Sequence, residues 1–289
     1  MSKALREDRS GQSAARYRPV RLGPRDYVID RRPDGTIYMR SPHALGPYPE
    51  KITERLHYWA EKSPDRTFLA QRDESGGWRK VSFGEALKLV RRIGESLLRR
   101  NVSLERPVAI LSGNDIEHAL LGLGATYIGV PYVPISPAYS LISSDFAKLK
   151  YIFDLLTPGL VFAADGHMFE RAIDAVVPPE LEIVVTRNPP ASRPASLFAP
   201  FADMQPTAAV DAAHDKVGPD TIVKFLFTSG STGFPKAVIN TQRMWCSNQK
   251  MLLSQLAYFE DEPPVIVDWA PWHHTAGGNH DFGFILYNG

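Results

Sequence analysis

VAILSGNDIEHALLGLGATYIGVPYVPI, residues 108–135, reads in three pieces. Val108–Leu111 is a short apolar strand ending in Ser112, Gly113 and Asn114. Ile116 to about Tyr127 is a helix, and Val130–Ile135 is a second strand. Strand, helix and strand in succession build a parallel sheet, because the chain must cross back before it can run the same way again. The alternation continues downstream. A helix over about Ser144–Leu156 leads to strand Leu160–Ala163, and a helix from about Met168 leads to strand Glu182–Thr186. A Pro-, Ala- and Ser-rich stretch from Asn188 to Pro206 reads as a surface connection, and strand Ile222–Phe227 follows it. Upstream, Ile52–Glu61 is a helix with Leu56, Trp59 and Ala60 on one face. Thr67–Gln71 and Trp78–Ser82 are short strands joined by a turn. Ser82 and Glu85 form a capping box for a helix whose apolar face carries Phe83, Leu87, Val90, Ile93, Leu97 and Leu98. The expected fold class is α/β, layered, with parallel-type sheets flanked by helices. Residues 1–48 lack such periodicity and are expected as an extension before a folded domain over residues 49–289.

The chain has 289 residues, 44% hydrophobic and 22% charged, which is enough to bury a large core. Its 33 basic and 32 acidic residues leave a net charge of +1, so no basic excess points to nucleic acid or to an anionic membrane. Arg91, Arg92, Arg99 and Arg100 fall largely opposite their helix's apolar face and read as solvated surface. No apolar run is long enough to span a bilayer. The Arg-rich N-terminus has no apolar segment behind its charges and carries Glu7 and Asp8, so it reads as a solvated tail and not as a targeting signal. The lone cysteine, Cys246, has no intrachain partner, which suits a reducing cytoplasm.

Strand Ile222–Phe227 runs into Thr228-Ser-Gly-Ser-Thr-Gly-Phe-Pro-Lys236, and a second apolar run, Ala237–Ile239, follows. Gly230 and Gly233 free the backbone to turn amide N–H groups onto an anion. Thr228, Ser229, Ser231 and Thr232 offer hydroxyl donors, Lys236 a cation that reaches terminal phosphates, and Pro235 a stiff exit. The loop is not a Walker A motif, since Pro precedes the lysine and Ala follows it. An idle Ser/Gly hairpin is the alternative. The density of donors, framed by an apolar strand and Pro-Lys, favours phosphate binding.

His273, His274 and His280 stand near Asp281, which invites a metal site, but the His-Glu-x-x-His helix of a zincin is absent and no metal ligand set is expected. Trp272 either stacks on a flat substrate or belongs to the core. Gly277 and Gly278 have no side chains to obstruct a flat ring.

Phe225–Lys236 resembles the signature loop of adenylate-forming enzymes, the family of acyl-CoA synthetases, luciferases and peptide-synthetase adenylation domains, with every required motif position filled. Residues 82–100, 108–114 and 129–134 are similar to further family segments in order and spacing, so the resemblance covers roughly residues 50–289. Within the family, Ser136–Ser140, Leu155–Phe162, Val267–His274 and Gly277–His280 resemble feruloyl-CoA synthases. The resemblance implies an ATP-dependent acid–CoA ligase that takes an aromatic, feruloyl- or hydroxycinnamoyl-type carboxylic acid through an acyl-adenylate to a CoA thioester. ATP, Mg²⁺ and coenzyme A are the implied small molecules. ATP is expected on Thr228, Ser229, Gly230, Ser231, Thr232, Gly233 and Lys236. The acid is expected against His274, with Trp272, Gly277 and Gly278 beside it. The family's Mg²⁺- and ribose-binding segments and catalytic lysine match nothing in this sequence. The catalytic residues are therefore expected beyond residue 289, and the chain as an incomplete, N-terminal portion of the ligase with doubtful activity alone. The competing expectations are a non-catalytic nucleotide- or acyl-binding remnant, and an adenylating enzyme with another acid or acceptor.

Overall fold

The computed structural model describes residues 18–73, 75–228 and 233–289. It opens with an antiparallel hairpin of β1 (Val28–Arg31) and β2 (Ile37–Arg40), with every side chain exposed. Nothing is buried on either face, so the hairpin has no alternating apolar signal, and the extension expected over residues 1–48 contains it unannounced. α1 (Thr53–Lys62), β3 (Thr67–Arg72), β4 (Trp78–Ser82) and α2 (Phe83–Leu98) follow close to their expected bounds. Ser82 Oγ accepts from the Glu85 amide at 3.2 Å, closing one arm of the capping box.

The alternating part then runs β5 (Val108–Leu111), α3 (Ile116–Tyr127), β6 (Tyr132–Pro134), α4 (Ala138–Leu141), α5 (Ala147–Leu156), β7 (Leu160–Asp165), α6 (Gly166–Val176) and β8 (Ile183–Arg187). β6 begins later than Val130 because Gly129, at φ 76°, ends α3 and the Val130 amide still bonds back to the Ala125 carbonyl at 3.0 Å. The connection after Asn188 is not all surface. It holds β9 (Ser196–Leu197) and α7 (Phe198–Phe201), and Phe198 and Phe201 are buried. α8 (Ala208–Asp215), β10 (Ile222–Thr228), β11 (Lys236–Thr241), α9 (Gln242–Gln255) and α10 (Phe282–Asn288) complete the order.

Seven strands form one sheet in the order β11-β10-β6-β5-β7-β8-β9, parallel throughout except for the β10–β11 hairpin. Alternate side chains of the central strands enter different cores. Val108, Ile110, Leu160, Phe162 and Val184 pack with α1, α2, α3, α9 and α10. Ala109, Leu111, Val161, Ala163 and Val185 pack with α5 and α6. Both faces are covered, as a parallel sheet requires. β5 leads through α3 to β6 on one side, and β6 then leads across to β7 on the other, so the winding reverses at β5. Ligands of such sheets bind in the crevice at the carboxyl ends of the strands beside that reversal. Among the described residues, no helix is long and apolar enough to cross a membrane.

Candidate functional site

β10 runs parallel to β6, with Lys224 opposite Tyr132, so Thr228 at its carboxyl end lies on the same side of the sheet as Ser112–Asn114 after β5 and Ser136 after β6. Thr228 and Lys236 are direct cross-strand partners, and Thr228 Oγ1 reaches the Lys236 carbonyl at 3.4 Å. The two ends of the expected phosphate loop thus meet at the base of a hairpin. Ser229, Gly230, Ser231 and Thr232 lie outside the described residues. Gly233 and the exposed Lys236 are described, and Phe234 stacks on Tyr151 with centroids 4.8 Å apart. Beside them is an open cleft of about 490 Å³, lined among others by Tyr139, Ile142, Ser143, Lys148, Gly233 and Phe234.

Asn114 ties a second segment to this sheet end. Its Nδ2 donates to the Ala270 carbonyl at 2.8 Å, and its Oδ1 accepts from the Trp272 amide at 2.9 Å. Asp268 finishes the loop by accepting from the Ala270 amide at 2.9 Å and from Trp272 Nε1 at 2.7 Å. The half-buried Trp272 ring packs edge-on to His118 at 5.2 Å and against Phe282 at 5.1 Å. Its indole donor is spent within the loop, which makes Trp272 the loop's anchor. Beneath it the packing is tight, leaving about 10 Å³ between His118, Ala119, Tyr132, Trp272, Gly278 and Phe282.

His274 is exposed at the outer turn; its amide bonds to the Pro271 carbonyl at 3.0 Å and its own carbonyl accepts from the Gly278 amide at 2.8 Å. Burial pushes the half-buried His273 below the usual histidine range, and His274 and His118 push the same way. Gly277 and Gly278 are buried. A Cβ on Gly277 would strike the carbonyls of Ala270 and Pro271, and one on Gly278 the carbonyl of Trp272. Both glycines are therefore accounted for by backbone passing against backbone, whether or not a ring lies near them.

Ala276–Asp281 forms a π turn leading into α10, a local form that recurs at functional sites. Its carbonyls are held from the sheet side by residues that the sequence did not mark. Lys224 Nζ reaches Gly278 O at 2.8 Å, and Trp245 Nε1 and Gln249 Nε2 reach Asn279 O at 3.0 and 2.7 Å. Asn279 Nδ2 donates to Asn240 Oδ1 at 2.8 Å. His280 Nδ1 lies 2.7 Å from Asp281 Oδ1. Among the described residues no three His, Cys, Asp or Glu side chains converge as a metal site, so none is assigned to Mg²⁺.

The carboxyl end of this parallel sheet thus carries the base of the β10–β11 hairpin and a His-Gly turn anchored on Lys224. The chain belongs to the AMP-binding enzyme family, whose family model matches residues 56–289. It is 22% identical over 267 residues to the long-chain-fatty-acid–CoA ligase ACSBG1 of Homo sapiens, covering 89% of this chain and 36% of that protein. It is 24% identical over 227 residues to the indigoidine synthase of Dickeya dadantii, covering 76% of this chain and 14% of that one. The chain thus spans about a third of the length of the CoA ligase that it matches. Its fold is similar to the fatty acyl-adenylate ligase of L. pneumophila, solved with acyl adenylate and pyrophosphate, at TM-score 0.62 and 18% identity over 82% of this chain and 38% of that one. It is also similar to the adenylation domain of a keto acid-selecting NRPS module, at TM-score 0.67 and 18% identity over 85% of this chain and 42% of that one.

Proposed function

We propose that this chain carries the nucleotide-phosphate loop and one wall of the acyl pocket of an ATP-dependent acid–CoA ligase. The observation that supports it most is the convergence at one sheet end of the Thr228–Lys236 hairpin and the Asn114-anchored loop over residues 268–278. In this reading Thr228, Ser229, Gly230, Ser231, Thr232 and Gly233 hold the β- and γ-phosphates, and Lys236 adds a charge-assisted contact. The acid lies against His274. Its carboxylate oxygen attacks the α-phosphorus of ATP, the bond to pyrophosphate breaks, and an acyl-adenylate forms. The thiol of coenzyme A then attacks the acyl carbon and releases AMP. Charge grows on the phosphoryl oxygens and on pyrophosphate during the first step, so positioned donors and cations lower its barrier.

The acid in this reading is aromatic, of the feruloyl or hydroxycinnamoyl type, on the strength of residues 136–140, 155–162, 267–274 and 277–280. The likeness to a long-chain-fatty-acid–CoA ligase supports a fatty acid as the second reading. Titration calorimetry of the purified chain with ATP, ferulate, benzoate and octanoate decides between them. ATP is expected to bind, and ferulate more tightly than octanoate. Octanoate bound at least tenfold more tightly than ferulate would replace the aromatic reading with the fatty one. A chain that does not take up ATP at millimolar concentration would overturn the nucleotide assignment.

A further inference from the structure

Lys224 is the buried lysine of the described chain, with no exposed surface, four residues before Thr228 on the strand that enters the phosphate loop. Its Nζ lies 2.8 Å from Gly278 O, 3.2 Å from the Tyr132 hydroxyl and 3.8 Å from the centre of the Trp245 ring. Burial, with no carboxylate opposing it among the described residues, holds its ammonium well below the usual lysine range. A buried cation without a counter-charge is costly, and a methionine would fill the same volume without that cost. Apolar packing therefore gives no reason for a lysine here; its polar contacts do.

What Lys224 holds is the π turn. Such a turn winds one residue more than an α turn and leaves carbonyls without their usual helical partners. The Asn279 carbonyl has two side-chain donors, Trp245 and Gln249. For the Gly278 carbonyl, Lys224 is the side-chain donor among the described residues. Gly278 is buried, so without Lys224 its carbonyl has neither that donor nor water, and relaxation to a regular α turn becomes the cheaper arrangement. Each residue of an α-helix advances it by about 100°. Losing the extra residue from the winding would turn His274, Thr275 and Ala276 by that angle relative to α10.

We propose that Lys224 is a positioning residue for the acid: by holding the Gly278 carbonyl it keeps the π turn wound, and so keeps His274 and Ala276 facing the acyl group. The inference rests on the assignment of residues 272–278 to the acyl wall, and extends it by giving the strand of the phosphate loop a part in acid recognition. The test is calorimetric titration of the full chain, wild type and Lys224→Met, with ferulate, octanoate and ATP, beside thermal unfolding of each. The expected result for Lys224→Met is at least tenfold weaker binding of whichever acid the wild type takes. ATP affinity should stay within twofold and the melting temperature should not fall. Unchanged acid affinity overturns the proposal. So does a parallel loss of acid binding, ATP binding and melting temperature, which would make Lys224 merely structural. Should Lys224→Met fail to fold, Tyr132→Phe decides. It removes only the hydroxyl that steadies Nζ, with severalfold weaker acid binding expected and unchanged binding overturning the idea. A wild type that binds ATP but neither acid sinks the acyl-wall assignment itself, and this inference with it. A wild type that binds acid, with variants indistinguishable from it, sinks this inference alone.

Discussion

Two lysines on one hairpin have opposite surroundings. Lys236 is exposed at the start of β11, opposite Thr228, with its head free to swing toward a phosphate. A charge-assisted hydrogen bond of that kind is worth about 1.5–3 kcal/mol, or roughly tenfold to a hundredfold in affinity. Lys236→Ala is expected to weaken ATP binding by that factor and to leave the melting temperature alone, because no packing is lost. Calorimetry with ATP checks it, and an affinity within twofold of wild type would count against the phosphate assignment. Lys236 stands out in the sequence as a candidate because hydroxyls, glycines and a proline surround it. Lys224 does not. It interrupts an otherwise apolar strand, and a register shift between Ile222 and Lys224 breaks the alternation that would have told its direction. Its partners, Gly278 and Trp245, are far away in sequence, and so is the loop that Asn114 holds. A pattern read along the chain finds a donor-rich loop; it does not find contacts such as Lys224 to Gly278, 54 positions apart, or Asn114 to Trp272, 158 apart.

Elements with one buried stripe announced themselves, and those held by polar contacts did not. α2 was plain from its apolar face, and β5 and β7 from runs of residues buried on both sides. α8 has a single buried residue, Val210, and its place is set by side chains whose partners are distant. His214, in its last turn, stacks on Tyr127 of α3 at 4.0 Å, its Nε2 lies 2.8 Å from Thr53 Oγ1 of α1, and its carbonyl accepts from Lys51. His57 of α1 lies 3.1 Å from the same Tyr127 hydroxyl, and Asp211 and Arg91 complete the cluster. Burial first, then Lys51 and His57, brings His214 down to about 4, and burial also lowers His57. Both imidazoles are folded in their neutral form, while in the unfolded chain His titrates near 6.5. At His214 the unfolded state therefore binds more protons between about 6.5 and 4, and His57 adds to this in the same direction. The stability they contribute is present above that window and is lost as pH falls through it. Melting temperature measured from pH 8 to pH 4 is expected to hold steady and then decline below about 6.5. His214→Gln should show a shallower decline, and a slope unchanged in that variant would show that other groups govern the acid limb.

At the scale of the whole molecule, one segment stands apart from both cores. Val265, Val267 and Trp269 are 96%, 89% and 88% exposed, and they alternate along a stretch with no strand partner among the described residues. β11, at the edge of the large sheet, adds Val238 and Ile239, each about half exposed. Apolar side chains at every second position beside unpaired backbone groups form a template that another extended chain can pair with. Soluble proteins commonly guard such edges with a lysine or a proline at an outward position. Pro263 and Pro264 guard the entry to the segment, but no charge interrupts Val265–Val267. The purified chain is therefore expected to self-associate with rising concentration, and Val267→Lys to reduce that association by placing a charge where a second strand would pack. Val267 lies outside the phosphate hairpin and makes no contact that holds the 268–278 loop, so ATP affinity should be unchanged. Sedimentation velocity over a range of protein concentrations reads the effect directly. If Val267→Lys and wild type associate alike, the contact lies elsewhere, and β11, with Ile239→Lys as the next variant, becomes the surface to test.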